Sequence, residues 1–254
     1  MTAALLWRPP APGPDEAHSS SPGPKPSLTV DRVVSAAIAV ADTDPAAGVA
    51  MRAVADRLGV TAMALYGYVP SKNALVSLAY DAIHAEMPDQ ATRQGDWRER
   101  IIAWAKDLVG LYVRHPWALR VPYARPVLGP NEQGVLESLV GSLRPTNLDT
   151  ETTRRVTGLI FHAVRGTADT IAAARNAEAE TGITEEEWWQ TSSSIIHHVV
   201  PDFGCRFPNT VWLLSQASTD PELDNGSGYV ERQSLANFRV GLDVLLDGVE
   251  AAVT

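Results

Sequence analysis

Met51-Arg-Ala-Val-Ala-Asp-Arg-Leu-Gly-Val-Thr-Ala-Met-Ala-Leu-Tyr-Gly-Tyr-Val-Pro-Ser-Lys72 contains two short apolar patterns separated by a single glycine. Val54, Leu58, Val60 and Leu65 fall where two short helices would press on one another across a tight turn, the logic of a helix-turn-helix. A first helix is predicted over Met51–Leu58. Gly59 permits the turn, and Thr61 can cap a second helix running to about Tyr68. To enter a DNA major groove roughly 12 Å wide, that second helix must be short and slender. Thr61, Ala62, Met63 and Ala64 meet this requirement.

These residues supply the candidate DNA contacts. Thr61 can reach a base edge or a phosphate, and Ala62 and Met63 can pack against thymine methyl groups. Arg52 is the candidate for a bidentate guanine contact. Tyr66, Tyr68 and Lys72 suit phosphate contacts, which fix register without reading sequence. Lys72 near a helix start opposes the helix dipole, and a nearby phosphate would explain it. Structural readings stand beside these. Tyr66 could anchor the turn as a core aromatic, Met63 could face the following helix, and Arg52 could pair with Asp56 at i,i+4, a surface pair of little value.

The pattern Ala50-Met-Arg52-x-Val54-Ala55-x-x-Leu58-Gly59-Val60, followed by Leu65-Tyr66-x-x-Val69-x-x-Lys72-x-x-Leu75, resembles the tetracycline-repressor (TetR/AcrR) family of regulators. The resemblance covers about residues 28 to 87 and implies a DNA-binding transcriptional regulator, not an enzyme. Two positions depart from it: Gly67 replaces a bulkier residue, and Tyr68 sits where histidine or phenylalanine is common. Both bear on the phosphate contacts.

Outward from this motif the chain is helical nearly throughout, and the expected fold class is all-α. Residues 28–90 are read as a three-helix helix-turn-helix DNA-binding domain, and residues 91–254 as a larger α-helical ligand-binding and dimerisation domain. Val30, Val33, Val34, Ala37, Ile38 and Ala41 form one apolar stripe, ended by Asp42-Thr-Asp-Pro45. Ser71 caps a further helix carrying Leu75, Leu78, Ala79 and Ile83. Prolines 9, 10, 12, 14, 22, 24 and 26 lie within residues 1–27, which are read as a disordered tail because such a segment buries too little to offset its ordering entropy.

Beyond Gly95, Asp96 caps a helix bearing Trp97, Ile101, Trp104, Leu108 and Tyr112. His115-Pro-Trp117 breaks it. Shorter helices are expected over about 117–123 and 131–143, and a long one from Asp149 to about Glu180. Thr184 with Glu187 forms a capping box for the next. Residues 202–227 are read as irregular, with Phe207, Val211 and Trp212 packed locally, and residues 229–253 as the last helix. The family resemblance implies a homodimer, with the helices at about 149–180 and 229–253 of two subunits forming a four-helix interface. Gly158, Gly166, Gly241 and Gly248 would allow close approach there. It also implies an inverted-repeat operator, two reading heads about one DNA turn apart, and release by a small-molecule effector. Ligand pockets are mostly apolar and aromatic with a few polar groups, so the candidate lining is Trp104, Leu108, Tyr112, Trp117, Phe161, His162, Arg165 and Trp212. The effector is expected to be amphipathic.

Composition bounds the alternatives. The chain of 254 residues is 45% hydrophobic and 20% charged, with a net charge of −9. Residues 28–87 hold four Lys/Arg (32, 52, 57, 72) against six Asp/Glu (31, 42, 44, 56, 81, 86), which predicts modest non-specific affinity and a shallow salt dependence. One cysteine, Cys205, excludes an intrachain disulfide and suits a reducing cytoplasm. No apolar run is long enough for a membrane span. His162, Asp202 and Cys205 lack metal-ligand spacing, His197 and His198 point to different faces, and no phosphate loop or nucleophile elbow appears. No catalytic residue, metal or cofactor is expected. The acidic head and base-poor second helix motivate one rival: a helical binding protein that no longer reads an operator.

Overall fold

Local capping chemistry sets six helix starts among the described residues. In a computed structural model describing residues 2–8, 28–89, 93–215 and 228–252, all regular structure is helical. After a short α1 (Thr2–Leu6), four helices follow: α2 (Val30–Thr43), α3 (Met51–Leu58), α4 (Ala62–Leu65) and α5 (Lys72–His84). Side-chain oxygens of Thr29, Thr61 and Ser71 accept backbone N–H groups at the starts of α2, α4 and α5. Gly59 closes α3 at φ +68°, a left-handed cap that a residue with a Cβ adopts only with strain.

A second set of helices comprises α6 (Trp97–Arg114), α7 (Pro130–Leu143), α8 (Thr150–Thr181), α9 (Glu185–Val199), α10 (Phe203–Arg206), α11 (Pro208–Ser215) and α12 (Tyr229–Ala252). Reciprocal capping boxes start α6 (Asp96 with Glu99) and α9 (Thr184 with Glu187), and Asp149 caps α8. His115-Pro116-Trp117 ends α6 and leads into a 3-10 turn, Pro116–Arg120. The long α8 lies against both α6 and α12. Arg98 ties α6 to Asp243 and Asp247 of α12, and Arg175 forks onto Glu231 at 2.8 and 2.7 Å, tying α8 to α12. One contiguous apolar core runs from α2–α5 into α6–α8.

Three sequence expectations change. Residues 2–8 are docked, with Thr2–Leu6 helical, and are not a free tail: Leu6 is buried where α1 lies against α5. Residues 9–27 lie outside the described residues. Residues 203–206 and 208–215 are helical, where irregular chain was expected; Phe207 packs locally on Phe203, with ring centroids 4.9 Å apart, while Phe207, Val211 and Trp212 all remain exposed. The second helix of the motif ends at Leu65 instead of near Tyr68, with Tyr66 as its cap residue. Among the described residues no helix is long and apolar enough to cross a membrane.

Candidate functional site

The surface of the helix-turn-helix is built on three buried anchors. Val54 on α3, Leu65 on α4 and Val69 just after it are fully buried, and they turn the rest of α4 outward. Met63 is 77% exposed, and Tyr66 and Tyr68 are also exposed. The structure therefore excludes Tyr66 as a buried anchor and Met63 as a residue covered by the following helix. Ala62 is half-buried and partly packed on the core, so less of it is presented than the sequence pattern suggested. Thr61 uses its hydroxyl to accept the Ala64 N–H at 3.3 Å while remaining exposed. Arg52 and Lys72 are exposed on the flanking helices. Among the described residues neither makes an ion pair, and the Arg52–Asp56 pair does not form.

The net count does not show how the charges of residues 28–87 are engaged. Four of the six acids of residues 28–87 are turned to other partners. Asp31 pairs with Arg8. Asp42 Oδ1 accepts the Trp117 indole N–H at 2.8 Å and lies 2.8 Å from His115 Nδ1. Asp81 accepts the backbone N–H groups of Asn131 and Glu132 at 3.0 and 2.9 Å. Glu86 pairs with Arg114 and faces His115. Arg32, Arg52, Arg57 and Lys72 have no ion-pair partner among the described residues, whereas most of the acids are engaged elsewhere.

The second group of candidates divides. Trp104 and Phe161 meet edge to face with centroids 5.2 Å apart, and Tyr123 lies 5.9 Å from Phe161 and 5.5 Å from His162. The Arg165 guanidinium sits over Tyr112 at 5.5 Å and Tyr123 at 5.6 Å. Its Nη2 donates to the carbonyl of Leu119 at 2.7 Å and reaches that of Val121 at 3.3 Å, while its Nη1 is buried with no partner among the described residues. Leu108 is fully buried beside Trp104 on α6. Trp117 belongs elsewhere, since its indole fastens the 3-10 turn to α2 through Asp42. Trp212 is not brought to the cluster: it is 66% exposed on α11. An open groove of about 540 Å³ lies between the end of α5, α6 and α7, lined in part by His84, Met87, Arg100, Asn131 and Ser138, and none of the eight candidates lines it.

Sequence reasoning missed Tyr80, His84 and Tyr123. The Tyr80 and Tyr112 hydroxyls are 3.2 Å apart, and His84 places Nδ1 2.7 Å from the Tyr80 carbonyl and Nε2 3.2 Å from the Tyr112 hydroxyl. Burial, reinforced by the positive Arg165, lowers the His84 pKa to about 4, so the ring is neutral at pH 7. Burial likewise pushes the Tyr80 and Tyr112 hydroxyls upward, keeping both protonated. The result is a buried, uncharged hydrogen-bonded set beside one arginine. Tyr80 and His84 lie at i,i+4 on α5, a spacing that hinted at a shared face but could not reveal the partner on α6. Among the described residues no three His, Cys, Asp or Glu side chains gather where a metal ion could sit.

Two family models match the chain. Residues 33–79 match "Bacterial regulatory proteins, tetR family", and residues 88–253 match "Tetracyclin repressor-like, C-terminal domain". The chain is 34% identical over 253 residues to the HTH-type transcriptional repressor DrrR1 of Streptomyces coeruleorubidus, covering 99% of this chain and 86% of that protein. It is 39% identical over 107 residues to an HTH-type transcriptional regulator of Saccharopolyspora erythraea, covering 42% of this chain and 45% of that one. The apo structure of ActR from Streptomyces coelicolor shares the fold with TM-score 0.66 at 21% identity, over 89% of this chain and 97% of that one. ActR in complex with actinorhodin does so with TM-score 0.68 at 23% identity, over 88% and 96%.

Proposed function

The chain belongs to the tetracycline-repressor family of DNA-binding transcriptional regulators, and from that premise we propose that it is a cytoplasmic homodimeric repressor, released from an inverted-repeat operator by an amphipathic small molecule. The observation that carries the reading is the form of α4. It is one turn long, pinned from beneath by Leu65 and Val69, and it offers Met63, Tyr66 and Tyr68 to solvent. A slim helix with an apolar tip and flanking hydroxyls suits major-groove entry, with Thr61, Ala62 and Met63 at base edges. Arg52, Tyr66, Tyr68 and Lys72 would then hold the backbone. The engagement of Asp31, Asp42, Asp81 and Glu86 with other partners weakens the acidic-head motive for a chain that no longer reads DNA.

On this reading residues 28–90 are the reading head and 91–254 the effector and dimer domain. Leu159 on α8 and Val240 and Val244 on α12 are more than half exposed, and a Cβ added at Gly158, Gly166, Gly241 or Gly248 would meet nothing. An apolar face with small residues on α8 and α12 supports dimerisation through these helices, with the two heads presented to one duplex. Effector recognition falls to Trp104, Leu108, Tyr112, Phe161, His162 and Arg165, joined by Tyr123. The unpartnered Arg165 Nη1–H among tyrosine rings suits an acceptor oxygen on a planar, largely apolar molecule. Its entry would shift the packing of α5 against α6 and α7, and so the spacing of the heads, a coupling between two sites.

The test is a titration of the full-length protein against the duplex immediately upstream of its own coding sequence, with a scrambled duplex as control. The proposal expects preference for the native duplex by a factor of 1,000 or more, on the order of specific-over-nonspecific ratios for such proteins. Equal binding to both at low salt contradicts it.

A further inference from the structure

We propose that residues 2–8 form a clasp that holds the reading head against the effector domain, with Trp7 as its positioning residue. This short segment touches three elements. Leu6 is 7% exposed and joins the core, where α1 lies against α5. Arg8 pairs with Asp31 in the first turn of α2, and its Nη1 donates to the Leu5 carbonyl at 2.7 Å, which closes the end of the helix. Trp7 reaches the other way: its indole N–H donates to the carbonyl of Leu128 at 3.0 Å.

Leu128 is no ordinary loop residue. Its φ is +59°, the left-handed region that a residue with a Cβ adopts only when neighbours hold it there. Two side chains do so. Glu132 Oε2 accepts the Leu128 N–H at 2.6 Å, and the Trp7 indole donates to its carbonyl. The next residue, Gly129, comes so close to Asp81 that an added Cβ would stand 2.2 Å from Oδ1. Leu128 therefore leads the chain into the point where a carboxylate of the head meets the first turn of α7. Residues 2–8 close a bridge over that point, anchored on α2 and α5 at one end and on the loop before α7 at the other. The terms head and effector domain rest on the function proposed above, but the bridge itself can be tested without DNA.

Hydrogen exchange on the full-length protein provides that test, comparing the native chain with Trp7→Phe and with a chain lacking residues 2–8. Phenylalanine keeps a smaller aromatic ring at this position and removes the indole N–H donor. Loss of one hydrogen bond corresponds to roughly a fivefold faster opening. The clasp predicts at least that acceleration at residues 127–133, and a parallel acceleration at residues 115–121, which lie on the other seam between α2 and the effector domain. The deletion should enlarge both effects. If exchange quickens only around 127–133, Trp7 merely braces a loop and the positioning role is wrong. If neither region changes in Trp7→Phe while thermal unfolding shows an intact fold, the clasp does not exist.

Discussion

Asp81 Oδ1 accepts the backbone N–H of Glu132 at 2.9 Å, so a carboxylate on the last helix of the head caps a helix of the effector domain. The same oxygen accepts the Asn131 N–H, and Oδ2 accepts the Asn131 side-chain amide, both at 3.0 Å. Burial raises the Asp81 pKa while these donors oppose it. A helix N-terminus normally recruits its capping oxygen from its own chain neighbourhood. Here the cap comes from 50 residues away, and α7 cannot shift along α5 without exposing buried N–H groups.

Asp81 and Gly129 should therefore be energetically coupled. Asp81→Ala leaves two backbone donors unsatisfied and should cost about 1–3 kcal/mol. Gly129→Ala should destabilise the native chain because its Cβ would meet Asp81 at 2.2 Å. In an Asp81→Ala background the same glycine substitution should cost less, because the approaches to Oδ1 and Cγ vanish while the Cβ at 2.8 Å remains. A double-mutant cycle by chemical denaturation reads the coupling, and additive effects would refute it.

Acid should weaken the fold through His84. Its pKa in the fold is about 4, against an ordinary value of 6.5. The unfolded chain thus binds the proton first, and stability is full above about pH 6.5 and declines toward pH 4. The contribution is on the order of 3 kcal/mol for a shift of this size. His84→Gln should flatten the fall in unfolding free energy between pH 7 and 4.5, and an unchanged slope would show that His84 is not its source.

DNA affinity should depend on salt more steeply than the net charge of residues 28–87 suggests, because most acids there are engaged elsewhere. Lys72→Ala should lower the slope of log affinity against log salt by about 1 and weaken binding evenly across sequences. Met63→Ala should act differently, reducing discrimination between duplexes and leaving the slope unchanged. Titrations at several salt concentrations separate the two.

Dimerisation should fail when the exposed stripe of α12 is charged. Val244 is 65% exposed in the single chain, so Val244→Glu should cost the monomer little. Across a two-fold interface it would bury two carboxylates, and sedimentation should then report monomers. A variant that sediments as the native protein would move the interface elsewhere.

Much of the fold is legible in local chemistry. Thr61, Ser71, Asp96, Asp149, and Thr184 with Glu187 each announce a helix start within a few residues, and each cap forms. The exposed tip of α4 follows from the burial of Leu65 and the shortness of the turn. What stays hidden is non-local. Residues 2–8 read as a tail because prolines follow them, and nothing nearby in sequence reveals that Leu6 meets α5 or Trp7 meets Leu128. Asp81 looks like a solvated charge until its partners on α7 are seen. Tryptophan identity also conceals structural roles: Trp104 donates to the Val135 carbonyl and Ser138, and Trp117 to Asp42, so both indoles stitch helices together. Trp212 stands in solvent.

Selection of bound duplexes from a randomised DNA pool tests the central claim most directly. The account predicts enrichment of inverted half-sites with centres about one helical turn apart, bound by two chains per duplex, and loss of that enrichment in a Met63→Ala/Tyr66→Ala variant that remains folded. Recovery of unselected sequence by the native protein, or the same motif from the double variant, would contradict it.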